Sequence, residues 1–330
     1  MIPGSRRTSP GETRAAAIPA AEVARKQRGN PVHGWLVIDK PVGMTSMQVV
    51  SRVRRATGAA KAGHAGTLDP LASGVLPVAL GEATKTMPFV TGGKKRYRFT
   101  LRWGEARSTD DAEGEVIATS PVRPTREQIC VALESMIGTI EQIPPAFSAV
   151  HIGGQRAYAL ARAGHTVDPL PRTVTIHRFA LVERPDDDHA VFEVECGKGT
   201  YIRSLARDLA VALGTVGHVS ALRRTAVEPF NETQAISLES LQSLGHSPAA
   251  FGRLLPVETA LDDIPALALT DTEANRLRRG QPVGLLSRRD QGRVGHLESG
   301  SIVCAMAGGK PVALARFEAG DLRAVRVLNL

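Results

Sequence analysis

The sequence has few cysteines, few aromatic residues and no long apolar run. Three cysteines are too few and too widely spaced for a disulfide framework or a paired-cysteine zinc site: Cys130, Cys196 and Cys304. No segment approaches the roughly 20 consecutive apolar residues of a transmembrane helix, and no signal-peptide pattern stands at the N-terminus. We therefore expect reduced thiols, no bound metal, no membrane span and a cytoplasmic location.

Motifs that bind nucleotide phosphates are also missing. The sequence has no GxxxxGKS or GxxxxGKT loop, and GKGTYI at 197–202 lacks the third glycine of a dinucleotide-binding fingerprint. An enzyme that depends on a nucleotide cofactor is therefore disfavoured, and we expect no cofactor.

Positive charge is what the composition offers instead. The 330 residues carry a formal net charge of +8 and a sequence pI of about 9.8. This balance favours an anionic partner, with nucleic acid as the first candidate and an anionic membrane surface as the second. Aromatic residues make up only 4% of the chain, so Tyr97 and Tyr201, which stand in basic and polar segments, invite a functional explanation.

The order of predicted elements indicates an α+β fold. Strands and helices alternate irregularly, which favours a mixed or antiparallel sheet over a strict series of βαβ units. Residues 1–30 combine scattered basic residues with proline, glycine and alanine and predict a disordered basic tail. Residues 31–263 form the larger predicted domain, and the short strands with glycine-containing turns in 264–330 predict a small β-barrel-like domain.

The stretch GHAGTLDPLASGVLP at 63–77 places one carboxylate, Asp69, in a loop with several glycines. Aspartate is a favoured helix N-cap and proline is favoured at the first helical position, so Asp69-Pro70 alone is best explained as the start of a helix. A catalytic role needs support from elsewhere in the chain.

Four other polar residues stand in apolar surroundings: His64, Lys85, Tyr97 and Arg203. Each has a plain structural explanation. In the same order, they can be a loop histidine, a lysine at the end of a strand, an aromatic residue at the edge of the core and a surface arginine.

Four separated motifs give these residues a common context. The stretches KAGHAGTLDPLASGVLPVALGEATK, KKRYRF, GTYIRSLARDLA and HVSALRRT occur in this order. Together with QIPPAFSAVHIGGQRAYALAR, they resemble the successive motifs of the TruB family of bacterial tRNA pseudouridine-55 synthases. The resemblance runs from about Gly34 to Phe230, and the C-terminal unit loosely resembles the RNA-binding PUA domain of that family.

The resemblance implies an activity and a partner. By it, 31–263 is a pseudouridine synthase catalytic domain, and the protein isomerises uridine to pseudouridine at position 55 in the T loop of tRNA. It acts as a monomer, without a guide RNA. Six residues receive roles: Asp69 as catalytic nucleophile, Tyr97 as the ring that stacks on uracil, Arg203 as the cation paired with Asp69, His64 as the side chain that fills the vacated base stack, Lys85 as a basic residue near the site, and Leu222 as an apolar pocket position. Attack at C1′ of the ribose and at C6 of the base both stay open.

Two other functions compete with this interpretation. A protein that only binds RNA would need the charge, the tyrosine and the barrel, but it gains nothing from an anion in an RNA groove. A glycosidase would break the same type of bond, yet it usually needs a second carboxylate. Asp110 and Asp111 are the best candidates for that carboxylate, and a polar turn between strands is the structural alternative.

Overall fold

The computed structural model describes residues 29–148, 151–152, 155–156, 167, 169–244 and 251–330. The predicted tail at 1–30 lies outside these residues except for its last two positions.

The described strands are short to medium in length and run through most of the chain. They are β1 Gly34–Lys40, β2 Ala62–His64, β3 Ser73–Leu80, β4 Lys95–Trp103, β5 Glu105–Arg107, β6 Val116–Thr119, β7 Gly138–Gln142, β8 His151–Ile152, β9 Gln155–Arg156, β10 Arg172–Glu183, β11 His189–Cys196, β12 Gly217–Val227, β13 Phe230–Asn231, β14 Ile236–Ser237, β15 Ala266–Ala268, β16 Val283–Gly284, β17 Ile302–Ala307, β18 Lys310–Glu318 and β19 Asp321–Val327.

The described α-helices lie between these strands at irregular intervals. They are α1 Ser46–Thr57, α2 Met87–Gly92, α3 Arg126–Glu134, α4 Ile202–Ala212, α5 Leu238–Leu244, α6 Asp271–Arg278 and α7 Arg288–Val294. A 3₁₀ helix, Gly81–Lys85, connects β3 to α2.

The larger sheet is mixed, as the sequence predicts. Its main order is β14-β1-β3-β12-β4-β11-β10-β7, and β2 and β13 pair with β3 and β12. Most neighbouring strands run antiparallel, whereas β1 with β14 and β3 with β12 are parallel. The α+β prediction for this part of the chain is confirmed.

The parallel contact between β3 and β12 positions the loop that precedes β3. It joins Ser73 to Arg223 and Gly74 to Arg224. Gly74 has a φ of +100°, and a Cβ at this position would collide with the backbone oxygen of Arg224. Only glycine allows so close an approach, because it accepts positive φ and has no side chain.

Apolar residues cover both faces of the larger sheet. Alternation along β4 buries Phe99, Leu101 and Trp103 in a cluster that also contains apolar residues of α1 and α4. The other face buries Trp35 in a smaller cluster, and Leu328 near the C-terminus belongs to it. The end of the chain is therefore packed into the core of the larger sheet.

The C-terminal unit has its own sheet and core. Its five strands follow the order β15-β17-β18-β19-β16, and a separate apolar cluster fills the space between this sheet and α6. The prediction of a small β-barrel-like, PUA-like unit is confirmed as a curled half-barrel sheet. The boundary at residue 264 stays a prediction.

One local prediction is wrong. No helix follows Asp69, because Pro70 and Leu71 form a single turn and the chain enters β3 at Ser73. Local turn chemistry at Asp-Pro is the same for a helix start and for an isolated turn, and the apolar run that follows favours the strand. Asp69 is therefore not a helix cap.

Candidate active site

A cavity of about 880 Å³ opens where the loop before β3 meets β4, β12 and the start of α4. Of the six residues predicted for the site, five line it: Asp69, Lys85, Tyr97, Arg203 and Leu222. His64 is not among its lining residues. Residues far apart in sequence thus converge on one cavity.

Hydrogen bonds fix the backbone on both sides of Asp69. The Ser46 hydroxyl accepts from the Leu68 amide at 2.8 Å and lies 3.0 Å from the Leu68 carbonyl oxygen. The Pro70 carbonyl accepts from the Gly43 amide at 2.8 Å. The loop is therefore held against the beginning of α1, while the Asp69 side chain stays 38% exposed at the cavity.

Arg203 lies beside Asp69 and is itself tightly held. Its Nη2 is 2.9 Å from the Asp69 carboxylate, and only 5% of its side chain is exposed. Its guanidinium also donates to the Thr109 carbonyl at 3.0 Å and the Phe147 carbonyl at 2.9 Å. A buried, planar cation with several acceptors is fixed in one orientation, so it can hold the Asp69 carboxylate in a defined direction.

Asp111 supports the same guanidinium from another side. Its carboxylate lies 3.3 Å from Nη1 of Arg203 and accepts from the Thr109 hydroxyl and the Glu113 amide. This carboxylate is 4% exposed and fully engaged, so it anchors Arg203 rather than offering a proton to a leaving group.

Asp110 pairs with a different arginine. It has a positive φ of 59° and pairs with Arg207 at 2.9 Å. Burial raises the pKa of Asp110, and the Arg207 cation opposes that shift. The two acids thus stand in a polar turn, as the structural alternative supposed, but Asp111 also reaches the site through Arg203.

Tyr97 forms the apolar wall of the cavity together with Leu222. Its side chain is buried on β4, and Arg224 is its partner residue on β12. Burial raises the pKa of the Tyr97 hydroxyl, while the charge of Arg224 and its hydrogen bond to that hydroxyl oppose the rise. The hydroxyl is therefore neutral near pH 7, and the Tyr97 side chain forms part of the cavity lining.

Sequence reasoning missed Arg224, although it quoted the motif that contains it. Arg224 is 1% exposed and donates to the Val75 carbonyl at 2.8 Å and the Gly66 carbonyl at 3.0 Å. It thus ties Tyr97 to the loop that carries Asp69. The signal was its spacing of two from Leu222, which puts both residues on one face of a strand.

Lys40 was missed as well. It is fully buried at the end of β1 and donates to the carbonyls of Pro41 at 2.8 Å and Pro70 at 3.3 Å. Burial lowers the pKa of Lys40 from 10.5 to about 8, and the nearby Asp69 carboxylate opposes this shift. The ammonium group contributes positive charge behind the loop that carries Asp69.

His64 lies at the end of β2, opposite Val78 of β3, and is half-buried. Burial first and the Arg224 cation second lower the pKa of His64 below its ordinary value. A neutral imidazole is therefore expected near pH 7. Its predicted role in filling a vacated base stack stays a prediction.

Lys85 faces the cavity rim, but its ammonium group contacts the C-terminal strand. Its Nζ lies 2.7 Å from the Glu82 carboxylate and donates to the Val327 carbonyl at 2.7 Å. The structure thus places Lys85 near the predicted site and engages it in holding another segment of the chain.

Tyr201 stands immediately before α4 and also lines the cavity. Its backbone amide donates to the Gln142 side chain at 2.8 Å, and its carbonyl accepts from the same side chain at 3.1 Å. The Arg172 guanidinium lies 5.6 Å from the ring centroid. This second aromatic residue, noted from its basic surroundings, therefore belongs to the site.

The lining of the cavity is mostly basic. Lys61, Lys95, Lys198 and Arg326 contribute basic side chains, and Asp69 is the one acidic residue among the described residues that line it. Within the described parts of the chain, no group of three or more histidine, cysteine, aspartate or glutamate side chains could hold a metal ion. Nor is any helix there long and apolar enough to cross a membrane. The arrangement suits a polyanionic substrate whose nucleobase lies against Tyr97, next to the Asp69 carboxylate.

Comparisons with known proteins agree with this arrangement. Residues 54–202 match the model of the TruB family pseudouridylate synthase N-terminal domain, and residues 203–262 match that of the tRNA pseudouridylate synthase B C-terminal domain. The chain is 55% identical over 319 residues to tRNA pseudouridine synthase B of Bradyrhizobium diazoefficiens, covering 93% of this chain and 91% of that one. The corresponding protein of Caulobacter vibrioides is 53% identical over 309 residues, covering 93% and 100%.

A solved structure shares the fold. It is described as an H/ACA RNP bound to a substrate RNA containing 2'-deoxyuridine, and it matches with a TM-score of 0.69 at 23% identity over 94% of this chain and 93% of that one. Fold and sequence matches together define an isomerase of the pseudouridine synthase class. The chain belongs to the TruB family, so the resemblance seen in its motifs is confirmed.

Proposed function

We propose that this protein converts uridine to pseudouridine at position 55 in the T loop of tRNA, with Asp69 as the nucleophile acting on a flipped-out nucleotide. It works in the cytoplasm as a monomer and without a guide RNA. The relatives named tRNA pseudouridine synthase B support tRNA as the substrate. The motif resemblance supports the choice of nucleotide and of nucleophile.

The observation that carries the proposal is the pair formed by Asp69 and Arg203. A carboxylate nucleophile must be ionised and must face the bound nucleotide. The 2.9 Å contact to a buried guanidinium orients the Asp69 carboxylate, and Asp111 fixes the guanidinium in turn. A protein that only binds RNA has no use for this arrangement.

The reaction is an isomerisation, and its atoms balance without a cofactor. The bond from N1 of uracil to C1′ of ribose breaks, the base turns, and C5 bonds to C1′. The proton on C5 leaves and N1 gains a proton. Asp69 takes part by bonding to C1′ or to C6 before the base turns, and it is released when the C5 bond is complete.

Tyr97 suits a base that must turn without leaving. A ring face holds uracil by stacking and tolerates rotation in the ring plane, whereas hydrogen bonds to every edge would resist rotation. Tyr97 is also our candidate for the group that takes the C5 proton, either directly or through a water molecule. A neutral hydroxyl can accept this proton only while it passes its own proton on, so Tyr97 would act as a relay and not as a store for the proton.

His64 would compensate for removing the nucleotide from its stack. Extruding a base costs about a few kcal/mol. A neutral, half-buried imidazole beside the Asp69 loop could occupy the gap without a second cation close to Arg224. Leu222 would close the apolar side of the uracil pocket.

The glycosidase alternative is weaker with this geometry. Hydrolysis requires a second carboxyl group that can deliver a proton. Asp111 is engaged by three donors and Asp110 is paired with Arg207. An isomerase that keeps the detached base in place needs neither acid.

The test is release of tritium from a tRNA transcript labelled at uracil C5. We expect one equivalent of tritium to be released per tRNA while the RNA strand stays intact. Release should be lost when position 55 is cytidine. Release of free uracil would indicate hydrolysis instead. No release at stoichiometric enzyme would refute the proposed function.

A further inference from the structure

The C-terminal strand β19 supplies part of the wall of the catalytic cavity. Arg326, near the end of this strand, lines the same cavity as Asp69 and Tyr97. Its side chain is exposed, and its guanidinium donates to the neighbouring Val325 carbonyl at 2.8 Å. Among the described residues, no ion pair within 4.0 Å involves Arg326.

Two hydrogen bonds hold the backbone around Arg326 to the larger domain, and a third joins the two side chains that make them. Lys85 donates to the Val327 carbonyl at 2.7 Å, and the Glu82 carboxylate accepts from both the Lys85 ammonium and the Asn329 amide at 2.7 Å. Leu328, between these two positions, is 2% exposed in the cluster that contains Trp35. The end of β19 is thus fixed at the cavity rim on both sides.

The Glu82–Lys85 pair is suited to this task. Burial raises the pKa of Glu82, but the Asn329 amide and the Lys85 ammonium more than offset that effect and leave the pKa lowered. The carboxylate is therefore ionised near pH 7 and keeps both partners. Lys85 has its charge neutralised by Glu82, which makes it a poor phosphate ligand.

Arg326 has the opposite character. No carboxylate in the described part of the chain pairs with it, it is exposed, and it lines a cavity with mostly basic residues. A planar guanidinium in that position binds phosphate with two parallel hydrogen bonds. The molecule that enters the cavity on the proposed function is a polyanion whose phosphates flank the target base.

We propose that Arg326 binds a backbone phosphate of the RNA beside the nucleotide held by Tyr97, and that the Glu82–Lys85 pair positions Arg326 by fixing the end of β19. This inference rests on the proposed function. It makes the C-terminal strand a component of the catalytic site, and it makes Lys85 a positioning residue instead of a direct contact to the substrate.

The first experiment separates binding from chemistry. Arg326→Ala should raise KM for tRNA about 5- to 20-fold while kcat stays within about twofold of wild type, because a phosphate contact is made equally in the ground and transition states. The slope of log Kd against log salt should fall by about 0.7 to 0.9, the contribution of one phosphate. Arg326→Lys should recover part of the affinity.

Arg323→Ala is the matched control. Arg323 is an exposed arginine on the same strand, pairs with Asp321 at 2.8 Å and does not line the cavity. Its loss changes the net charge by the same amount, but it should leave KM within about twofold of wild type and the salt slope unchanged. Equal effects of the two alanine variants, or an unchanged KM for Arg326→Ala, would overturn the assignment.

The second experiment tests the positioning role of Lys85. Lys85→Met keeps the length of the side chain and removes the donor to Val327. The expected result is a rise in KM similar to that of Arg326→Ala, and a double variant no worse than either single variant, because both changes remove the same contact. Additive effects would mean that Lys85 contacts the RNA independently and would refute the positioning role.

Failure of this inference is distinguishable from failure of the proposed function. If wild-type protein releases no tritium, the proposed function is wrong. If wild type is active and Arg326→Ala matches it in KM and salt slope, only the role of Arg326 is wrong. Thermal unfolding of each variant confirms that the compared proteins are folded.

Discussion

Replacing Asp69 with asparagine separates the chemistry of the site from its architecture. The change keeps the size and polarity of the side chain but removes the anionic oxygen. Arg203 loses one partner and keeps Asp111 and the carbonyls of Thr109 and Phe147. Because the Asp69 carboxylate is 38% exposed, the lost ion pair should lower the free energy of unfolding by no more than about 1 kcal/mol.

Activity should respond very differently. An amide oxygen cannot form the covalent bond that a carboxylate forms, so the rate of tritium release should fall by at least about 10³-fold, equivalent to roughly 4 kcal/mol of transition-state stabilisation. The affinity for tRNA should stay within about threefold of wild type, because one cavity carboxylate adds little to binding a polyanion. Single-turnover tritium release with enzyme in excess measures the rate. Thermal unfolding measures the change in stability, and tRNA binding at fixed salt measures the affinity.

Asp39→Asn provides the matched control. Asp39 has the same 38% side-chain exposure and pairs with Arg223 at 3.0 Å, but it does not line the cavity that contains Asp69. It should retain most of its activity. The reasoning fails if Asp69→Asn releases tritium at more than a few per cent of the wild-type rate, with deamidation excluded by mass spectrometry, or if Asp39→Asn loses as much activity.

Three further changes test the surroundings of Asp69. Asp111→Asn keeps the hydrogen bond with Thr109 but removes the negative charge that faces Arg203. We therefore expect kcat to fall about 10-fold with a smaller change in KM, measured by steady-state tritium release. Tyr97→Phe should keep tRNA affinity and lower the single-turnover rate at least about 10-fold, and a rate equal to wild type would exclude a proton relay by the hydroxyl. Burial lowers the pKa of Lys40 to about 8, so folding releases a proton from it above that pH. Between pH 8 and 10.5, the free energy of unfolding of wild type, relative to Lys40→Met, should therefore rise by up to about 1.4 kcal/mol per pH unit. Urea unfolding measures this slope, and a slope of the opposite sign would contradict the lowered pKa of Lys40.

Removing the C-terminal unit would not test its role in RNA binding. Leu328 packs in the same cluster as Trp35, and Glu82 and Lys85 hold the backbone on either side of it. A protein shortened at residue 264 would expose this part of the core and lose these contacts together. Single substitutions on β19 avoid the problem, because exposed side chains there can be changed without disturbing the packing.

The fold was largely predictable because its strands have strong local patterns. Alternation along β4 identifies the strand and its buried face, and the spacing of apolar residues identifies α1. The Asp69 segment was harder, because Asp-Pro is compatible with a helix start and with a turn, and the choice depends on the pairing of β3 with β1 and β12. Such pairing is a tertiary property that a local pattern does not contain.

The candidate site shows the same division. The motifs indicated Asp69, Tyr97 and Arg203 because a motif that matches a family assigns a role to each position within it. Arg224 and Lys40 escaped notice because the acceptors that connect them to the Asp69 loop, the carbonyls of Gly66 and Pro70, are distant in sequence, and a backbone carbonyl leaves no signature in a motif. The main partner of Lys85 in the C-terminal strand, Val327, is 242 positions away.

Separate supports for the backbone and the carboxylate of Asp69 explain why no helix is needed at this position. Ser46 and Gly43 hold the residues on either side of Asp69, and Arg224 holds the start of the loop at Gly66. The carboxylate is aimed by Arg203, which belongs to α4 and has anchors of its own. The contacts that hold the loop backbone do not involve the Asp69 carboxylate, so changing the carboxylate leaves the loop in place. Loss of activity on that change can therefore be assigned to the missing anion.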